Sequence, residues 1–174
     1  MPQNPNEQHV LDERRKQLAK GQIKKIEMKN LVEYVRFQLG EHEYYGIPYP
    51  LTKEVISKTT ITSIPGAPDF IAGVINRRGI ILTILDLKKF LQLPPSDKEL
   101  NAYIITVDCN NIAVGLIVDK IIGSDAYDPT LLDAPLSPTG AIKPDYIEGI
   151  HHGKTAILNI NTILSELVLQ IGRK

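Results

Sequence analysis

Apolar and polar side chains alternate along most of this chain from residue 31 onward. Val35, Phe37 and Leu39 alternate with Tyr34, Arg36 and Gln38, the period of two expected of a β-strand with one wet face. Gly40 opens the turn of a hairpin over residues 34–47. Pro48 and Pro50 cannot donate to a ladder and so mark a strand end or an edge. After a connector, Ile64-Pro65-Gly66-Ala67 has the chemistry of a type II turn. Residues 71–75 and 80–85 then flank Asn76-Arg77-Arg78-Gly79, which predicts a hairpin around a four-residue loop. Asp86 is placed to cap a short helix, LKKFLQL. Farther on, Asn110-Asn111 is a two-residue turn between AYIITVDC and IAVGLIVD. Asp128-Pro129, Pro135 and Pro138 make an irregular connector, and Asn161 is placed to cap a last helix, TILSELVLQ.

These elements come in the same order twice. Residues 34–47 (YVRFQLGEHEYYGI) superpose without a gap on residues 103–116 (YIITVDCNNIAVGL), placing Tyr34 on Tyr103 and Gly46 on Gly115. FIAGV at 70–74 is matched by YIEGI at 146–150, and ILDLKKFL at 84–91 by NINTILSEL at 159–167, the latter one residue out of register. A repeat of about 70 residues is too long for a solenoid unit and points to a duplicated small domain. The first β unit runs over about residues 31–93 and the second over about 100–168, divided by Pro94-Pro95-Ser96-Asp97.

Residues 1–30 differ from this pattern. Pro2 and Pro5 among Asn and Gln imply a disordered start, and VLDERRKQLAK at 10–20 has helix-favouring composition with Leu11 and Leu18 one heptad apart, ended by Gly21. Arg14, Arg15, Lys16, Lys20, Lys24, Lys25 and Lys29 make the segment basic, as in a solvated, partly helical extension preceding a domain over 31–170.

Composition narrows the function. At 174 residues with 43% hydrophobic and 23% charged side chains, the chain has the make-up of a soluble globular protein with a real core. Lys plus Arg equals Asp plus Glu at 20 each, so no basic field exists to hold nucleic acid. An apolar leader and an apolar run of about 18 residues are both missing, so a cytoplasmic location is expected.

Chemistry-bearing patterns are sparse. Cys109 stands alone at a strand end, in the position of a half-buried thiol rather than a nucleophile. Adjacent His151 and His152 point to opposite faces of a strand, whereas zinc ligands converge on one point. Arg77 and Arg78 offer an anion contact, but no Gly-rich phosphate loop accompanies them. Asp69, Asp86, Asp108, Asp119 and Asp125 fall on separate turns. These patterns suit a binding module and predict no catalytic, metal or cofactor site. The rival reading is an enzyme or small-ligand sensor using the NRRG turn and the groove between the two β units. A polyproline-binding module is disfavoured, since seven Tyr, three Phe and no Trp are too few and scattered for an aromatic groove.

At the segments just read, the chain resembles the CheW family of bacterial chemosensory adaptors. YYGIPYPLTKEV at 44–55 resembles the family's YGI…V-x-E-[IV] stretch, ITSIPGAPDFIAGVINRRGIILTILDLKKFL at 61–91 its IPGAPxFIxGVxNLRGxIxPVxDLRxxF signature, and VGLIVDKI at 114–121 its VGLxVDxV strand. The resemblance spans about residues 33–168. It implies a mainly β fold of two intertwined five-stranded SH3-like β-barrels with short helices, and a protein without catalytic activity. It also implies two partners: a CheA-type histidine kinase and the cytoplasmic tip of methyl-accepting chemoreceptors, with membrane association only through that complex at arrays on the inner face. Carried over residue by residue, Glu54 and Arg78 are expected to pair across the first barrel and shape the partner surface. Thr52, Val55 and Ala72 are expected near the receptor groove. Asn76 and Gly79 of the turn are expected on the partner-binding surface, and the strand starting at Ile80 near the kinase-facing end. Arg77, Thr52 and Thr83 stand where the family has Leu, Val and Pro. The segment LDERRKQLAKG resembles PilI-type adaptors of twitching-motility systems.

Overall fold

The computed structural model describes residues 30–57, 59–94, 103–135 and 142–172, together with residues 13, 15 and 16. Of the predicted 10–20 helix, Glu13, Arg15 and Lys16 are helical and exposed. The rest of that segment, Pro95, Ser96 and Asp97 of the divider, and Pro138 lie outside the described residues.

Each half opens with an antiparallel hairpin. β1 (Val32–Leu39) pairs with β2 (Glu43–Pro48), and β6 (Tyr103–Cys109) with β7 (Ile112–Val118). A single strand follows, β3 (Thr52–Ile56) or β8 (Lys120–Tyr127). A second hairpin comes next, β4 (Ile71–Arg77) with β5 (Ile80–Asp86), or β9 (Ile147–His151) with β10 (Thr155–Leu158). Each half closes with a helix, α1 (Leu87–Phe90) or α2 (Ile160–Ile171).

The halves exchange strands. One sheet has the order β8-β1-β2-β10-β9 and the other β3-β6-β7-β5-β4. Moving every label by five turns one order into the other, so each half keeps its first hairpin and completes it with three strands of its counterpart. The junctions are parallel pairs, β10 on β2 and β5 on β7. At both, a glycine lets an isoleucine cross close. A Cβ on Gly46 would stand 2.5 Å from the Tyr34 ring and 2.8 Å from Ile157, and one on Gly115 would stand 2.5 Å from Ile84 and 2.7 Å from Ile104.

β1 and β6 bury both faces, as centrally placed strands must. Val35, Phe37 and Leu39 of β1 and Ile105, Val107 and Cys109 of β6 join Leu85, Leu87, Phe90, Leu158 and the inner face of α2 in one large cluster shared by both sheets. Each such fully buried aliphatic or Phe side chain contributes about 1.5–3 kcal/mol. The opposite faces carry Tyr34 and Ile104, around which each sheet wraps a small cluster of its own. A buried ion pair ties α1 to the β7–β8 corner: Lys88 Nζ stands 2.8 Å from Asp119, whose other oxygen accepts from the Gly40 N–H at 2.7 Å.

The ladder registers correct four local expectations. Arg36 pairs with Gly46 and Thr106 with Gly115, so the counterpart of Tyr34 is Ile104 and not Tyr103. The gapless alignment fails because residues 40–42 turn the first hairpin, whereas Asn110 and Asn111 alone turn the second. The helix-start copies are in register, ILDL at 84–87 on ILNI at 157–160, because Ile84 faces Gly115 as Ile157 faces Gly46. Accordingly Asn159, not Asn161, caps α2, accepting from the Thr162 N–H at 3.1 Å just as Asp86 accepts from Lys89 at 3.2 Å. Asn161 instead accepts from Cys109 Sγ at 2.7 Å and Asn110 Nδ2 at 3.0 Å. Finally, Asn76 and Arg77 belong to β4, opposite Ile81 and Ile80, leaving a two-residue turn at Arg78 and Gly79. Their φ values of 54° and 83° are those of the tight turn that matches strand twist.

Candidate functional site

The β4–β5 turn and the facing strand β3 gather most of the residues singled out in the sequence. β3 and β4 are the two edges of the β3-β6-β7-β5-β4 sheet. Along a strand, alternate residues share a face. Glu54 therefore lies on the side of Ile56, and Arg77 on the side of Ile75, both of which sit in the small inner cluster. The two charged residues meet over that cluster. Arg77 donates from Nε to Glu54 Oε2 at 3.1 Å and from Nη2 to Oε1, a two-pronged bond that closes the edges on each other. The Arg77 guanidinium holds the Glu54 carboxyl below its ordinary range, with Arg78 adding a smaller effect, and Glu54 in turn raises Arg77.

The expected Glu54–Arg78 pair is thus mainly a Glu54–Arg77 pair. Arg78 Nη2 lies 3.9 Å from the same carboxylate, on a side chain 81% exposed. Asn76 accepts from the Gly79 N–H at 3.0 Å, locking the turn. Beyond it, Ile80 and Ile81 are 68% and 64% exposed, an apolar pair set directly against the charged group. Sequence reasoning missed Ile81 and offered Arg77 as an anion contact without its pairing to Glu54. The signal for Ile81 was present, because adjacent isoleucines after a turn break strand alternation and leave one without a core to enter.

Thr52, Val55 and Ala72 are spread more widely. Thr52 Oγ1 donates to the Pro48 carbonyl at 3.2 Å, Val55 projects from β3 with 43% exposure, and Ala72 packs against the small cluster from β4. A separate groove of about 310 Å³ lies between the 64–68 loop and the end of α2, where Ile64, Pro65, Pro68, Ile71 and Ile171 line it and Thr83 is the one polar side chain among the described residues. Among the described residues no group of three or more His, Cys, Asp or Glu side chains converges to hold a metal, and no helix is long and apolar enough to cross a membrane. His151 ends β9 and His152 begins the turn after it, with ring centroids 3.9 Å apart.

A family model described as a CheW-like domain matches residues 33–168. The chain is 32% identical over 125 residues to a probable chemotaxis protein CheW of Rhizobium etli, spanning 72% of this chain and 77% of that one. It is 28% identical over 142 residues to the protein PilI of Pseudomonas aeruginosa, spanning 82% and 79%. Its fold is similar to the crystal structure of the scaffolding protein TtCheW from Thermoanaerobacter tengcongensis, with a TM-score of 0.68, 32% identity, and coverage of 76% of this chain and 86% of that one.

Proposed function

Because this chain belongs to the family of CheW-like domains, we propose that it is a chemosensory adaptor that couples membrane chemoreceptors to a CheA-type histidine kinase. Such a part needs two separate docking faces and no reaction chemistry. The observation that carries the reading is the end of the β4–β5 hairpin. Exposed Ile80 and Ile81 supply apolar area, and the Glu54–Arg77 pair with Arg78 supplies charge that fixes orientation. This end takes the kinase. Thr52, Val55 and Ala72, on the edges of the same sheet, serve the receptor, and the adaptor works on the cytoplasmic side of the membrane, where both partners present their surfaces.

Calorimetry with the regulatory domain of a CheA-type kinase from the same organism tests it. Binding is expected for the intact chain and lost when Ile80→Glu and Ile81→Glu are combined, since two carboxylates in an apolar contact remain desolvated and unpaired. No heat of binding at about 100 μM, with both proteins folded, overturns the reading, because that limit corresponds to less than about 5.5 kcal/mol of affinity.

A further inference from the structure

The strand exchange makes the two barrels comparable position by position, and they differ where it matters chemically. In the β3-β6-β7-β5-β4 barrel the inner cluster is aliphatic: Ile56, Ile75, Leu82, Ile84 and Ile104. The registers place Asp125, His151, Thr155, Ile157 and Tyr34 at the matching positions of the other barrel. Tyr34, His151 and Thr155 are buried, whereas Asp125 lies exposed at the rim. Tyr34 shares a hydrogen bond of 3.0 Å with His151 Nδ1 and donates to Asp125 at 3.3 Å.

The mouth of each barrel lies one step along the same strands. In the aliphatic barrel Thr106 faces Glu54, and Glu54 holds Arg77. In the other, Arg36 occupies the place of Thr106 and Gly123 that of Glu54. The hairpin β9–β10 turns directly after His151, short of any counterpart to Arg77. Among the described residues this mouth thus has an arginine and no carboxylate at the place of Glu54. Gly123 keeps it so, because its φ of 149° is one that side-chain-bearing residues rarely adopt, and the space a Cβ would enter is empty. Arg36 lies with its guanidinium 4.7 Å from the Tyr44 ring centroid, and its Nε is buried without a hydrogen-bond partner. An orphaned guanidinium N–H is costly. The acid nearest in the cluster, Asp125, makes no ion pair with Arg36 among the described residues. Its oxygens serve the Tyr34 hydroxyl and, at 2.8 Å, the Ala126 N–H.

We propose that the open end of this barrel is a carboxylate-binding site, in which Arg36 takes an acidic group from outside the chain. That group is an Asp or Glu side chain of a partner, or a small free carboxylate. It completes at Arg36 what Glu54 completes at Arg77 within the chain.

Nuclear magnetic resonance of the full chain tests this through the Arg36 Nε–H signal, with the His151 ring as a second reporter. Acetate is expected to shift Arg36 Nε–H saturably with a Kd of about 1–50 mM, the range for a single charge-assisted fork. It is also expected to raise the His151 titration midpoint, since a new anion favours imidazolium. Chloride at equal ionic strength should do neither. Asp125→Asn should tighten acetate binding several-fold by removing a like charge. Arg36→Gln should abolish it, and Arg36→Lys, which keeps the charge but loses the fork, should weaken it. An acetylated and amidated Gly-Gly-Glu-Gly-Gly peptide separates the sources: tighter binding than acetate marks a partner's side chain, and equal or weaker binding marks a free carboxylate. No saturable shift in the folded wild-type chain, an equal shift with chloride, or a shift that survives Arg36→Gln overturns the proposal.

Discussion

Glu54 of β3 and Arg77 of β4 hold the two edges of one sheet together with a two-pronged bond, so the pair proposed to meet the kinase is also a clasp of the barrel. Because both side chains reach solvent, the clasp contributes little to folding. Glu54→Arg and Arg77→Glu are each expected to leave the thermal midpoint little changed and to weaken binding of the kinase regulatory domain at least tenfold. Combining them should recover part of the loss, as contacting residues do in a double-mutant cycle, whereas pairing Glu54→Arg with Arg78→Glu should recover less. Calorimetry of the four variants decides it. Full binding by both single variants would remove the pair from the interface.

The crossing glycines give a sharper stability test. Gly46→Ala drives a methyl group into the ring of Tyr34, which is fully buried and hydrogen-bonded at its far end. Gly115→Ala meets the Ile84 Cδ1 methyl, which has rotamers to retreat into, and the Ile104 Cγ2 branch methyl, with no aromatic ring in the way. Overpacking costs about 1–3 kcal/mol, with Gly46→Ala expected at the upper end and Gly115→Ala at the lower. Urea denaturation at matched pH measures both. Equal costs would show that the Tyr34 ring yields as readily as an isoleucine.

His151 sets a pH dependence. Burial, and then the stacked His152, hold its titration below the ordinary 6.5, with Asp125 opposing. Unfolded chains therefore take up a proton near pH 6.5 that the folded protein refuses until lower pH. The stability this neutral histidine contributes is complete above pH 6.5 and lost as pH falls toward the folded value. Wild-type thermal midpoints are expected to drop between about pH 7 and 5.5, and His151→Gln to flatten that slope. Glu148, raised by burial, acts in the opposite sense but is common to both proteins, so the difference between their slopes reports His151. An unchanged slope in His151→Gln would assign the effect to another group.

Much of this architecture was legible in the chain, and what was not failed for identifiable reasons. Hairpins showed wherever alternation met a turn signal, as at Asn110-Asn111. Which strands lie beside them did not show, since β2 on β10 and β5 on β7 join segments far apart in sequence whose only local mark is a glycine. The turn at Arg78 was read too long because Asn76 and Arg77 have loop-like chemistry, yet sit on an exposed edge that tolerates them. Asn159 was passed over as a cap because isoleucines surround it. The polar interior around Tyr34 stayed hidden through one missing residue: with the second hairpin turn shorter than the first, a gapless alignment sets Tyr34 on Tyr103 and conceals the contrast with Ile104. Of the proposed partner surface, Glu54, Asn76, Arg78, Gly79 and Ile80 follow from family resemblance, while Arg77, standing where the family carries leucine, shows in the sequence only as an anion contact.

The exchanged strands bear on how an adaptor carries load. Two barrels strung in series would meet at a hinge, and a tug on one would be spent in bending the joint. Here no cut between Pro94 and Tyr103 would free a self-sufficient piece, since each fragment would leave its first hairpin without the three strands that flank it. A partner pulling on β3, β4 or β5 pulls on a sheet whose middle strands belong to the other half of the chain. Displacement of one sheet is therefore carried by continuous backbone into strands of the other, so the two barrels are tied into one piece rather than joined by a tether.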